Sequence, residues 1–169
     1  SASAAAEGSP EALEQQDEGT FLAGLSDDNL RFCFPLLGGF KRSAVEAILP
    51  RILNMLVTTP DTLNRVVTRV VRSRPPVFTK AELLTWLHRL EPDKHGLDRV
   101  RIRDLLGLLL DREDSDGETI RETLFHLVED EVPCLYLMRT GILSAKKYKD
   151  VRKYLLSETV PKLIRKRVW

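Results

Sequence analysis

Reactive and membrane-directed features are scarce in this sequence, and each scarcity removes a class of protein. Only two cysteines occur among 169 residues, Cys33 and Cys134, far apart and each among apolar neighbours. They form no CxxC pair and too small a set for a disulfide framework, so they read as free thiols in a reducing compartment. No apolar run is long enough to cross a bilayer and no signal peptide opens the chain, which points to the cytosol or nucleus. The histidines are His88, His95 and His126, and none pairs with another at ligand spacing. Glu122 and His126 stand four residues apart on one helix face, but two ligands without a third make no zinc site. No serine or cysteine sits in a nucleophile elbow, and neither GxGxxG nor GxxxxGK[ST] is present. The acidic run Asp111-Arg112-Glu113-Asp114-Ser115-Asp116-Gly117 fails as a calcium loop. With Gly117 at the turn, Arg112 takes the place of the first carboxylate and Thr123 that of the bidentate glutamate. It reads as a helix–helix connection whose last residues start the next helix. These absences leave no metal, no cofactor and no enzyme to propose.

Basic residues are also missing from the first thirty positions, where Glu7, Glu11, Glu14, Asp17, Glu18, Asp27 and Asp28 stand alone. After Met138 the sign reverses, with ten lysines and arginines against Asp150 and Glu158. Residues 1–22 are dominated by Ala, Ser, Glu, Gln and Gly, too little apolar surface to offset the entropy of ordering. They read as a disordered acidic tail, and residues 23–169 as one helical domain. With no start methionine, the chain reads as a piece of a longer protein.

What is present is helical signal in almost every segment. Ser26 can cap a helix that should stop near Gly38-Gly39, with Asp27 and Asp28 at its positive end. Ser43-Ala44-Val45-Glu46 and Thr79-Lys80-Ala81-Glu82 both have the form of capping boxes. Val45, Ile48, Leu49, Ile52, Leu53 and Leu56 recur at helical spacing, with Pro50 on the polar side, where it should kink or restart the helix. Thr59-Pro60-Asp61 opens another helix. The segment from Leu97 to Asp111 is apolar on most sides in its second half, which marks it as central, and its Gly107 should admit a close neighbour. Pro133 should begin a later helix, and Pro161 should divide the last one. The sum is an all-α fold of about seven or eight helices in stacked antiparallel hairpins, HEAT- or armadillo-like.

One stretch has the character of a binding feature. Lys146, Lys147, Lys149, Arg152 and Lys153 surround Tyr148 and Tyr154, an arrangement that can hold single-stranded RNA through phosphates and stacking. The competing reading is that Tyr148, Val151 and Leu155 share an inward face and the lysines stand in water, and it is the better supported. With Arg165, Arg167 and Trp169 at the end of the chain, these basic residues form the candidate partner-binding set.

Several local strings occur in an order that resembles the C-terminal region of symplekin, from about Leu36 to Trp169. They are Gly39-Phe40-Lys41-Arg42-Ser43-Ala44-Val45-Glu46-Ala47-Ile48-Leu49-Pro50, the helix from Leu63 to Val71, Phe78 to His88, Pro133, Leu137-Met138-Arg139-Thr140, and Leu163-Ile164-Arg165-Lys166-Arg167-Val168-Trp169. The chain departs from the family pattern at Lys146, Lys147 and Lys149, which replace apolar residues, and at Pro161. The resemblance implies a non-enzymatic nuclear scaffold of the machinery that cleaves and polyadenylates messenger-RNA 3′ ends. It would hold the C-terminal domains of two metallo-β-lactamase-fold subunits, the active endonuclease and an inactive relative. Such a role calls for a rigid helical stack with an apolar groove and a charged rim.

Overall fold

A computed structural model describes residues 18–92, 94 and 96–167. Among them are ten α-helices and no strand: α1 (Glu18–Ala23), α2 (Asp27–Phe32), α3 (Arg42–Leu56), α4 (Pro60–Arg72), α5 (Lys80–His88), α6 (Arg99–Leu110), α7 (Gly117–Glu129), α8 (Leu137–Lys147), α9 (Lys149–Tyr154) and α10 (Val160–Arg165). The count exceeds the expected seven or eight for local reasons. The segment 18–22, assigned by composition to the tail, is helical, and its Leu22 is fully buried. The rest of the expected tail, residues 1–17, lies outside the described residues. The helix opened by Ser26 ends at Phe32, and Phe34–Gly39 continues as a 3₁₀ helix with Pro35 in its first turn.

The second source is the π turn at Leu155–Thr159, which separates α9 from α10 while the chain stays helical from Lys149 to Arg165. The division expected at Pro161 thus falls just before it, and the proline stands in the first turn of α10. Proline lacks an N–H and its ring collides with the carbonyl four residues back. Widening the preceding turn, so that the Val160 N–H donates to the Leu155 carbonyl, changes the bonding register just before the proline.

The caps follow the side-chain chemistry unevenly. Ser26 accepts the Asn29 N–H at 3.3 Å, and Thr79 and Glu82 close a full capping box. Asp98 and Asp116 cap α6 and α7, the latter through the Thr119 N–H at 2.7 Å. The box expected at Ser43 does not form. Here α3 starts at Arg42, and Glu46 instead pairs with Arg42 Nε at 2.9 Å. Pro50 is buried within an uninterrupted α3, not on its polar side. The turn begun by Pro133 becomes helical only at Leu137. Gly107 has open space where a Cβ would stand, so close approach is not its reason for being there.

The buried side chains form two clusters. The first joins Leu22, Leu30 and Leu37 to the apolar stripes of α3, α4 and α5 and to Leu97, Ile102, Leu105, Leu106 and Leu109. The second holds Leu110, the stripe of α7, and Leu137, Val151 and Leu163. Helix α6 feeds both, which is why its second half is apolar on most sides. The clusters are joined where α5 packs on α7 and reaches α8. There His88, 2% exposed, places Nδ1 at 2.7 Å from the Leu84 carbonyl and Nε2 at 2.8 Å from Thr140 Oγ1. A carbonyl can only accept, so Nδ1 carries the proton and, in the neutral ring, Thr140 donates to Nε2. Burial pushes the His88 pKa down to about 4.

Two close approaches tighten the stack. A Cβ at Gly38 would stand 2.6 Å from Ser73 Cβ and 3.1 Å from the Arg69 carbonyl, so the 3₁₀ helix lies almost directly on α4. A Cβ at Gly141 would meet Leu155 Cδ1 at 2.7 Å.

These contacts carry two predictions. His88 ionises at about 4 when folded and near 6.5 when unfolded, so the unfolded chain takes up the proton first as pH falls. Its contribution is complete above pH 6.5 and is lost towards pH 4, an amount on the order of 3 kcal/mol. Urea unfolding across this range should show that slope in the native chain and a shallower one in His88→Gln. Gly38→Ala should cost about 1–3 kcal/mol through overpacking, measured as a lower thermal midpoint, whereas Gly39→Ala, with nothing within 4 Å, should be nearly silent.

Candidate functional site: a groove beside the seam

The chain turns sharply between α7 and α8, and the reason lies in Pro133 and in the charge pairs that hold the turn. Arg89, one residue past α5, makes a two-toothed pair with Asp130, Nε to Oδ2 at 3.0 Å and Nη2 to Oδ1 at 2.6 Å. Its pKa is raised, first by that hydrogen bond. Lys166, just past α10, donates to the Asp130 carbonyl at 2.7 Å. Tyr136 is buried in the first cluster and its hydroxyl donates to the Arg99 carbonyl at 3.2 Å. The α7–α8 loop is thereby held to α5, to α6 and to the end of α10.

Between these elements lies a groove of about 390 Å³. Leu90, Pro92, Val132, Pro133 and Leu135 give it an apolar lining, and Arg89, Glu91, Arg99 and Asp130 stand around it. Val132 and Leu135 are 79% and 66% exposed, large apolar side chains left in water beside a fixed backbone. An apolar centre with a charged margin is the composition of a protein-docking surface. Cys134 also lines the groove, and burial raises its thiol pKa, so it is a packing group and no activated nucleophile.

The basic residues singled out from sequence do not form one surface. Lys146, Lys147, Lys149, Arg152 and Lys153 gather at the α8–α9 corner, which sits against the start of α7: the Tyr148 hydroxyl donates to the Ser115 carbonyl at 2.7 Å. Arg165 and Arg167 flank Lys166, which lies at the other end of α7. The two groups are therefore separated by roughly 20 Å, the length of that 13-residue helix. Two of the corner residues hold the fold. Lys147 reaches the Leu110 carbonyl at 3.5 Å, at the negative end of α6, and Arg152 donates to the Ala145 carbonyl at 3.2 Å. Lys146, Lys149 and Lys153 are exposed. Tyr148 and Tyr154 pack against the second cluster, as the shared face with Val151 and Leu155 suggests. Trp169 lies outside the described residues.

The acidic loop between α6 and α7 has a structural use. Asp114 receives Arg112 at 2.9 Å and lies near Lys80 and Arg72, and its pKa falls chiefly through the Arg112 bond. Arg112 also donates to Asn64 and Thr68, tying the loop to α4. Among the described residues there is no group of three or more His, Cys, Asp or Glu that could hold a metal ion, and no helix is long and apolar enough to span a membrane.

Sequence reasoning missed the groove itself. Its signal was Val132-Pro133-Cys134-Leu135, an apolar string between helices where a connection should be polar. It also missed the arginines of α4, whose spacing at Arg65, Arg69 and Arg72 places them on one helix face.

No curated protein and no solved structure matches the chain. A family model does, over residues 29–169, nearly the whole length. With its ordered strings, its all-helical architecture and this match together, the chain belongs to the family described as symplekin tight junction protein C terminal.

Proposed function

We propose that this chain is a non-enzymatic scaffold module of the nuclear machinery that cleaves and polyadenylates pre-mRNA 3′ ends. In this reading it docks the C-terminal domains of the endonuclease and of its inactive metallo-β-lactamase-fold relative. Family membership supports the scaffold role, and one observation carries the docking surface: exposed Val132 and Leu135 on a loop fixed by Arg89, Lys166 and Tyr136. A rigid apolar centre loses little conformational entropy when a partner covers it. The order α3–α4, α5–α6, α7–α8 of packed neighbours supports a HEAT-like stack that holds the groove still. Arg165 and Arg167, on either side of Lys166, and Lys146, Lys149 and Lys153 are exposed and provide positive charge for steering an acidic partner.

RNA binding through the basic helices is the second reading. It has the exposed corner lysines in its favour. Against it, the corner's tyrosines face the core, and Lys147 and Arg152 are engaged.

Two variants separate the surfaces after co-expression with the endonuclease C-terminal domain. Val132→Asp with Leu135→Asp should cost the complex about 2–4 kcal/mol and remove it from a size-exclusion profile. Lys146→Glu with Lys149→Glu and Lys153→Glu should leave it nearly intact, with a slower association at low salt. The opposite pattern would move the docking surface to the α8–α9 corner. Neither variant should shift the thermal midpoint by more than about 0.5 kcal/mol equivalent, since all five side chains are exposed.

A further inference from the structure

We propose that the face where the 3₁₀ helix meets α4 is a second docking site, built for a short acidic protein segment with apolar residues between its carboxylates. It lies on the first cluster, on elements other than those that form the groove. Two clefts of about 400 and 470 Å³ flank Pro35, and Arg69 lines both. One wall is apolar, from Phe34, Pro35 and Leu36, and the other is the polar face of α4 with Arg65, Arg69 and Arg72. Arg31 also lines the larger cleft. Leu36, which lines the smaller cleft, is 60% exposed.

Among the described residues, Arg31, Arg65 and Arg69 make no salt bridge. Guanidiniums that line one cleft without a salt-bridge partner repel one another, and an anionic ligand removes that repulsion. Every cation on this face is arginine, whose planar fork takes a carboxylate through two bonds. Arg65 and Arg69 are about 6 Å apart along the helix axis. Alternate residues of an extended chain repeat at about 6.6–6.8 Å and point the same way. A segment lying between the two walls therefore sets its carboxylates on α4 and turns the intervening apolar side chains to Phe34, Pro35 and Leu36.

The ends of the strip decide between protein and nucleic acid. Asp61 precedes Arg65 by one turn on the same face of α4, and Arg72 is already 3.5 Å from Asp114. Asp28 shares a face of α2 with Phe32 at four-residue spacing. Acidic groups thus bound the positive strip to about 10 Å, the rise from Arg65 to Arg72, too short for a continuous phosphate track.

The test is fluorescence anisotropy of the full chain with a labelled peptide alternating glutamate and leucine, with a labelled oligouridylate in parallel. The peptide should bind saturably, and Arg65→Glu with Arg69→Glu should weaken it about ten-fold or more without moving the circular-dichroism spectrum or the thermal midpoint. Leu36→Ser should weaken it as well, which a purely ionic attraction would not. The groove variant Val132→Asp with Leu135→Asp should bind the peptide normally, so this site stands or falls apart from the docking groove. No saturable peptide binding, equal binding by the arginine variant, or tighter binding of the oligouridylate through the same arginines would overturn it.

Discussion

The closure of two apolar clusters against each other at α5 is the constraint on which the rest of this molecule depends. Helix α5 is nine residues long and buried on most of its sides: Leu83, Leu84 and Leu87 enter the first cluster, and the helix also packs on α7. Its last residue, His88, crosses to Thr140 on α8 with both ring nitrogens satisfied. A buried imidazole is tolerable only because each nitrogen finds a partner, and the same burial keeps it uncharged. With the seam closed, Arg89 stands opposite Asp130, and the α7–α8 loop has a fixed position. The groove is a consequence of that fixation.

Arginine and lysine act through the fold as ties between loops and helices. Arg51 on α3 donates to the Ala23 and Leu25 carbonyls and to Asp27, holding the α1–α2 turn. Arg112 holds the α6–α7 loop to α4, and Arg89 and Lys166 hold the α7–α8 loop. Most of these pairs are partly exposed and individually worth little. Their use is geometric, since each satisfies a backbone carbonyl or a carboxylate that a turn would otherwise leave to water. A scaffold needs that kind of order, because a loop that is still before binding has less freedom to lose.

Much of the helical content was legible because period and cap agreed, as at Ser26, Thr79 and the Asp114–Gly117 start signal. Failures came where tertiary contacts outweighed local chemistry. Ser43 lost its capping role because Glu46 was taken by Arg42, which also reaches Glu82 on α5 and covers the ring of Phe78. Pro50 went inward because α3 is buried on most of its circumference. The segment 18–22 was misread because composition cannot register one leucine, Leu22, meeting α3. The basic residues were visible as a group in the sequence, but the length of α7 divides them, and two of them were needed as ties. The groove was hidden for a different reason, since it is made by three elements distant in sequence and only the apolar loop hinted at it.

Hydrogen–deuterium exchange on the chain, alone and bound to the endonuclease C-terminal domain, tests the central claim most directly. The account predicts the largest slowing on binding at residues 88–92 and 130–136, the two strands of chain that frame the groove, with little change at residues 146–153. Slowing confined to residues 146–153, or bound and free chains that exchange alike around the groove, would contradict it.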